Sequence, residues 1–407
     1  MKAACTDPRM ARALRVAVMG CACAALTVFG SPEQASASGF DPAAYTRIDA
    51  AGNRIIHLPP GVYDVSRTVV LPSNTRLEGE GESTVLKAAA AFTGPRFITN
   101  ADFARGDRNI IVRNLKIDFP LRLLYGEEIG ILRFKNIEAL HINDITMVLD
   151  SELYGIDLSG GVRGGVIEGC TIRNANRVSG GGIMIRNSER APARAASGIT
   201  VRDNRIQSTS DEPIAVFGWE GMVEDVAVEN NTVDARSASF GITVFGIDEK
   251  RHRGSIRNVR IAGNRIRGGR VGGIGVKGGA RSIEVSGNTI EDTTGDGIFL
   301  HSGGEGLPDV ENISVKGNTV LRAGRHCILA AGKKISIAEN RINGCEQSGV
   351  YAAGDVSVSE NDITDAKPGI LVEGGTRNSI RGNSLHNSGE VVFLGTGTPG
   401  PREKSSP

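Results

Sequence analysis

Asp211 and Glu212 stand side by side, followed by Pro213 and the apolar run Ile214–Ala215–Val216. Two carboxyl groups entering a core strand are the residue types of general acid–base chemistry, since one can hold a proton while the other accepts one. Asp157, in Tyr154–Gly155–Ile156–Asp157, and Asp296, between Gly295 and Gly297, are further carboxylate candidates; Lys277 and His301 each close a short apolar run. Hydrolysis of a glycosidic bond would pair Asp157 with Asp211 or Glu212 as acid and base. Removing the proton beside a uronate carboxyl needs a base and a cation instead, a set offered by Tyr154, Arg186, Lys277 and His301. Trp219, the only tryptophan, offers with Phe217 and Phe245 an aromatic face for a sugar ring. Each residue also has a plain structural reading. Asp296 before a glycine suits a turn, Lys277, His301 and Arg186 suit solvated rungs, and Trp219 suits a loop anchor.

The elements that must position these residues repeat from about residue 109 to 385. An alternating apolar strand ends in Asn, one polar residue and another apolar residue, as in "VRIAGNRI" ending at Ile266 and "ISIAENRI" ending at Ile342. The Asn series runs Asn114, Asn143, Asn204, Asn231, Asn264, Asn288, Asn318, Asn340, Asn361 and Asn383, with Cys170 in one slot, at separations of about 21 to 34 residues, a solenoid period. Period-two alternation of β-branched residues excludes a helical solenoid. The Asn side chains are expected to serve the turn, through a left-handed conformation and amides bonded from coil to coil. A second strand, opened by Gly or an equivalent, follows each Asn by about ten residues, as in "GITVFG" from Gly241 and "GIFLHS" from Gly297. Three strands per period predict an all-β, right-handed parallel β-helix of about 10–12 coils, with coils about 4.8 Å apart.

Alternation along the second strand predicts two outward rows. One runs Asp157, Met184, Ala215, Thr243, Gly275, Phe299; the other runs Ser159, Arg186, Phe217, Phe245, Lys277, His301. Beyond His301 the rows turn to Leu329, Ala331 and Ala353, and the loops shrink from the inserts at 187–197, 219–225, 247–255 and 302–312 to two or three residues. Polar rows beside inserted loops predict a groove over residues 154–312.

Residues 1–37 have the pattern of a secretory signal, with Lys2, Arg9, Arg12 and Arg15 before the apolar run Val16–Phe29 and Ala35–Ser36–Ala37 as the cleavage site. Export to the periplasm or outside the cell is expected. Residues 38–54 are expected to cap the coil, residues 55–395 to form the β-helix and residues 396–407 to be a disordered tail. Three cysteines remain, Cys170, Cys327 and Cys345; a Cys327–Cys345 bridge is open, with buried free thiols the expectation. The net charge of +1 gives no reason to expect a nucleic acid partner, and no later run is long enough to span a membrane. No spacing points to a structural metal, so no cofactor is expected; calcium is left open, with no dense Asp-rich loop as a motif for it.

The segment "IIHLPPGVYDVSRTVVLPSNTRLEGEGESTVLKA", Ile55–Ala88, resembles the opening coils of the pectate-lyase-like β-helix superfamily, which includes polygalacturonases, tailspike depolymerases and mannuronan epimerases. The resemblance implies a polysaccharide partner and leaves a homotrimer open. "YGID", Tyr154–Asp157, is similar to a mannuronan epimerase motif, but Leu158–Ser159 replaces the Pro-His that should follow. "SDEPIAV", Ser210–Val216, resembles the acidic turn of polygalacturonases, whose other signatures are absent. The expectation is therefore a secreted enzyme acting on an acidic polysaccharide as lyase, hydrolase or epimerase. The alternative is a non-catalytic glycan-binding or cell-surface protein.

Overall fold

Aliphatic residues stack in a column through the middle of the molecule: Ile156, Ile183, Ile214, Ile242, Ile274, Ile298, Ile328, Val350 and Ile370 are register partners, one per coil. All are fully buried, each contributing roughly 1.5–3 kcal/mol by leaving water. The structure, a computed structural model, describes residues 40–122, 130–187, 194–208, 210–246, 255–304, 306–375 and 377–394. The expected signal segment and the tail lie outside the described residues, as do 188–193 and 247–254 within two of the inserts.

Successive coils pair in parallel, each strand bonding to its counterpart one coil away. Eleven such strands line one face, from Gly130–Lys135 through Tyr154–Ser159, Ile183–Asn187, Ile214–Gly218, Phe240–Gly246, Gly272–Lys277 and Asp296–His301 to Val391–Leu394. This is a parallel β-helix, within the predicted coil number. At the N-terminal end a short 3-10 turn, Pro42–Tyr45, is capped by Asp41, whose carboxylate accepts from the Ala43 N–H at 3.0 Å. Thr46–Ile48 then runs antiparallel to Arg54–His57. The Tyr63 ring packs edge-on against Phe40 and Tyr45 while its hydroxyl donates to Pro59 O at 2.8 Å.

The Asn ladder is real, but it starts later than the sequence suggests. From Asn204 to Asn361 each Asn donates its backbone N–H and its Nδ2 to the Oδ1 of the next, and each Nδ2 also reaches a strand carbonyl. Asn383 ends the series. Cys170 heads it, its N–H bonded to Asn204 Oδ1 at 2.9 Å, and burial pushes its thiol up to about 12. Asn114 and Asn143 are not members. The ladder position in their coils is held by Leu115 and Ile145, which pair with one another inside the core. The left-handed backbone, expected at the Asn itself, lies one residue earlier, at Gly263, Gly287, Glu339 and Glu360 among others. The Asn keeps an ordinary backbone because its amide, aimed into the coil, does the bonding.

Cys327 and Cys345 form a disulfide, which corrects the expectation of free thiols. Coiling brings their Cα atoms to 5.5 Å, although 18 residues separate them in sequence. A closed loop of that length stabilises by about 3 kcal/mol in the chain-entropy account. Replacing both cysteines by Ala is expected to lower the unfolding midpoint accordingly, measured by denaturant titration without reductant.

Candidate functional site

The two outward rows have the expected register. Asp157, Met184, Ala215, Thr243, Gly275 and Phe299 pair in sequence, as do Arg186, Phe217, Phe245, Lys277 and His301. The coil above adds Arg133 opposite Asp157 and Lys135 opposite Ser159. Much of this face is packed rather than open: Tyr154, Met184 and Ala215 form an apolar cluster apart from the main core, with Phe217 and Trp219 against it.

Asp157, expected to act on water, is fully buried and clamped by guanidinium groups. Arg186 donates from Nε and Nη2 to its two oxygens, each at 2.9 Å, and Arg133 Nε lies 3.4 Å away. Arg186, expected to meet a substrate carboxylate, is thereby committed to Asp157. Both residues stand in a structural ion pair, because an ion pair lacking water must be satisfied internally. Asp157→Asn should strand two guanidinium charges and cost about 3–5 kcal/mol of stability, read by urea denaturation.

The carboxyl pair is different. Tyr154 Oη donates to Glu212 Oε2 at 3.3 Å, and the Glu212 N–H donates to Asp211 Oδ1 at 2.9 Å. Burial, and then the Glu212 carboxylate beside it, hold the Asp211 carboxyl well above the usual carboxylate range. Two carboxyls in contact cannot both ionise cheaply, which is why Asp211 gives up its proton less readily than an ordinary carboxyl. Gly181 makes room for this cluster: a Cβ there would lie 2.2 Å from the Tyr154 ring and 2.5 Å from Glu212 O.

Lys277 lies within electrostatic reach of the pair. Its Nζ sits 4.6 Å from the Phe240 ring centre and 4.8 Å from that of Phe245. Burial lowers its pKa, and the charges of Glu212 and Asp211 oppose that shift. The ammonium sits against two ring faces in place of water, with the carboxylates of Glu212 and Asp211 acting on it at longer range. Phe240 was not among the expected residues; it reaches this face because Gly275 is empty, a Cβ there lying 2.7 Å from its ring. No sequence spacing signals that exchange. The Trp219 ring tilts against Phe217 at 5.8 Å, and its backbone N–H donates to Asn187 O at 3.2 Å. Asn187, also not expected, ties the neighbouring loops together by donating to Arg194 O and Met222 O.

His301 and Asp296 lie further along. His301 Nδ1 accepts from the Gly303 N–H at 2.9 Å, so the neutral ring carries its proton on Nε2; burial lowers its pKa. Asp296 is not on an outward row. Its buried carboxyl, raised to about 6 by burial, accepts at Oδ1 from the His326 N–H at 3.1 Å, with Arg325 at 3.8 Å from Oδ2. It bonds into the next coil, the turn role, and does not join the pair at Asp211. Among the described residues no group of three or more His, Cys, Asp or Glu is arranged to hold a metal ion.

The family profile described as a right-handed β-helix region matches residues 103–320 and 245–399, which together span most of the chain. The protein belongs to the right-handed β-helix family. Solved structures of similar fold include the A-module of a mannuronan C-5 epimerase from Azotobacter vinelandii, at TM-score 0.54 and 17% identity, covering 88% of this β-helix protein and 92% of that module. Another is PfbA, a surface adhesin of Streptococcus pneumoniae, at TM-score 0.57 and 14% identity over 82% and 83% of the two chains. A third is the N-terminal fragment of bacteriophage phi29 gene product 12, at TM-score 0.57 and 19% identity over 83% of this chain and 59% of that one. At such identities the likeness concerns the fold. The phage-related protein YobO of Bacillus subtilis is 30% identical over 124 residues, a stretch covering 28% of this β-helix protein and 15% of YobO. Among the described residues no helix is long and apolar enough to cross a membrane.

Proposed function

We propose that this protein acts on a polysaccharide, moving a proton at an acidic sugar unit held against Asp211, Glu212, Tyr154 and Lys277. One observation carries the reading: the contacting carboxyls of Asp211 and Glu212, with the Tyr154 hydroxyl on Glu212, lie within electrostatic reach of the buried Lys277 ammonium on the outer face of the coil. Strongly perturbed groups gathered in this way are characteristic of proton-transfer sites. Hydrolysis fits less well. A glycosidase needs two carboxyls at least ~5 Å apart across the scissile bond, whereas those of Asp211 and Glu212 are hydrogen-bonded and Asp157 is held by arginine.

In the proposed chemistry Lys277 neutralises the uronate carboxylate, and Glu212 accepts the proton from the adjacent ring carbon. The electron pair left on that carbon is delocalised into the carboxyl group. Return of a proton from water to the opposite face would invert the centre. If the pair instead forms a ring double bond, the glycosidic C–O bond breaks and Asp211 protonates the leaving oxygen. With one carboxyl protonated and Lys277 charged, the site itself is close to neutral, so an anionic sugar is not repelled. Export agrees with the Cys327–Cys345 disulfide, which persists in an oxidising compartment.

The test is incubation of the purified protein with a panel of acidic polysaccharides in D2O. Unsaturated-uronate absorbance would report elimination, and deuterium at the reacting ring carbon by NMR would report proton exchange. Neither signal on any substrate would refute the enzyme reading. The competing reading, a glycan-binding surface without turnover, is favoured by the near-complete burial of Tyr154 and Thr243; it predicts binding that survives Asp211→Asn and Glu212→Gln.

A further inference from the structure

The sequence places the end of the groove at His301, where the outward rows turn to alanine. The structure has a cleft of about 510 Å³ just beyond that point, lined by His301, Asp309, Lys333, Asp355 and Arg377 around a floor of small residues. Its volume falls within the range of carbohydrate- and drug-sized sites. The floor is built by register: Ala331 pairs with Ala353 and Gly332 with Gly354. Gly354 and Gly375 both have positive φ, and a Cβ on either would come within 2.3 Å and 2.0 Å of the carbonyl oxygen one coil above. No larger residue fits at those two positions, so the stacking itself keeps the floor low. The short turns of these coils leave it uncovered on the described side.

The charges around it are not all used internally. Lys333 pairs with Asp309 at 3.2 Å, whereas Arg377 and Asp355 form no salt bridge among the described residues. His301 presents Nε2–H, because Nδ1 is occupied by the Gly303 N–H. An unpaired guanidinium, an unpaired carboxylate and an N–H donor over a flat floor suit a pyranose that bears one carboxylate and several hydroxyls. Lys277 and His301 are register partners, so the cleft begins one coil, roughly 5 Å, from Lys277 along the axis and about three coils from Asp211 and Glu212.

We infer that this cleft is a second sugar subsite, which holds the next units of an acidic chain whose reacting unit lies at Asp211, Glu212 and Lys277. Arg377 takes the carboxylate, Asp355 accepts from ring hydroxyls, and Ala331 and Ala353 pack under the ring. The inference rests on the proposed polysaccharide function and adds where the chain runs: along the coil axis toward the C-terminal coils.

The full chain would be titrated calorimetrically with oligouronates of increasing length, and turnover of short and long oligomers compared. Ala353→Phe, which fills the floor, and Arg377→Ala, at an exposed position, are expected to weaken binding of a hexamer at least tenfold. Turnover of a trimer, whose two further units end about two coils past Lys277 and short of Ala353 and Arg377, should stay within about twofold of the parent. If hexamer binding is unchanged in both folded variants while the parent binds and processes it, the subsite is wrong and the function stands. If the parent neither binds nor processes any oligouronate, the function fails and the subsite with it.

Discussion

Glu212→Gln is expected to lower turnover of an acidic polysaccharide by about a hundred- to ten-thousand-fold, the range for loss of a positioned general base. The substitution keeps the side chain's shape and can still receive the Tyr154 hydroxyl at its amide oxygen, so the fold should survive. What is lost is the acceptor. Gln cannot take a proton, and Asp211, no longer raised by a neighbouring carboxylate, should titrate closer to an ordinary carboxylic acid. A second readout therefore separates chemistry from packing. In the parent, activity should fall as pH rises far enough to strip Asp211 of its proton or Lys277 of its charge. In the Gln variant the Asp211 part of that alkaline limb should move to lower pH. Steady-state rates across pH, with circular dichroism to confirm folding, check both. A variant as active as the parent would remove Glu212 from the mechanism.

The largest expected loss of stability comes from the ladder. Asn288 donates Nδ2 to Ile261 O and Asn318 Oδ1, each at 2.9 Å, while its Oδ1 receives both the N–H and the Nδ2 of Asn264 at the same distance. Asn288→Ala removes four buried hydrogen bonds and orphans at least the Ile261 carbonyl and the Asn264 N–H. At roughly 1–3 kcal/mol for each stranded group, the expected cost is about 2–6 kcal/mol. Thr289→Ala, next to it but directed outward, should cost under about 1 kcal/mol. Guanidinium denaturation of the two variants provides the comparison; equal costs would mean that the amides are not what holds the coils together.

Much of the fold was legible because its code is local and periodic. Apolar alternation marked the strands, the repeated Asn gave the coil length, and register then carried Asp157, Arg186, Lys277 and His301 to neighbouring rungs of one face. Where the periodic code weakens, the reading slipped. Asn114 and Asn143 look like ladder members by phrase, but turns of slightly different geometry put Leu115 and Ile145 in the ladder position. The disulfide was undecided for a similar reason, since only the coiling brings Cys327 to Cys345.

The candidate site was legible as a face and not as an arrangement. By itself the sequence determined the solenoid, the outward rows and the carboxyl doublet, because these follow from spacing along one chain. Only the tertiary structure decided which charged groups meet. It gave Arg186 to Asp157, set Lys277 against Phe240 and Phe245 within electrostatic reach of Asp211 and Glu212, and opened a cleft over Ala353 where the sequence read an inert end. The physical reason is that ion pairing and ring packing depend on side-chain direction and burial across coils some 20 to 35 residues apart, whereas a repeat fixes only the order of the rungs.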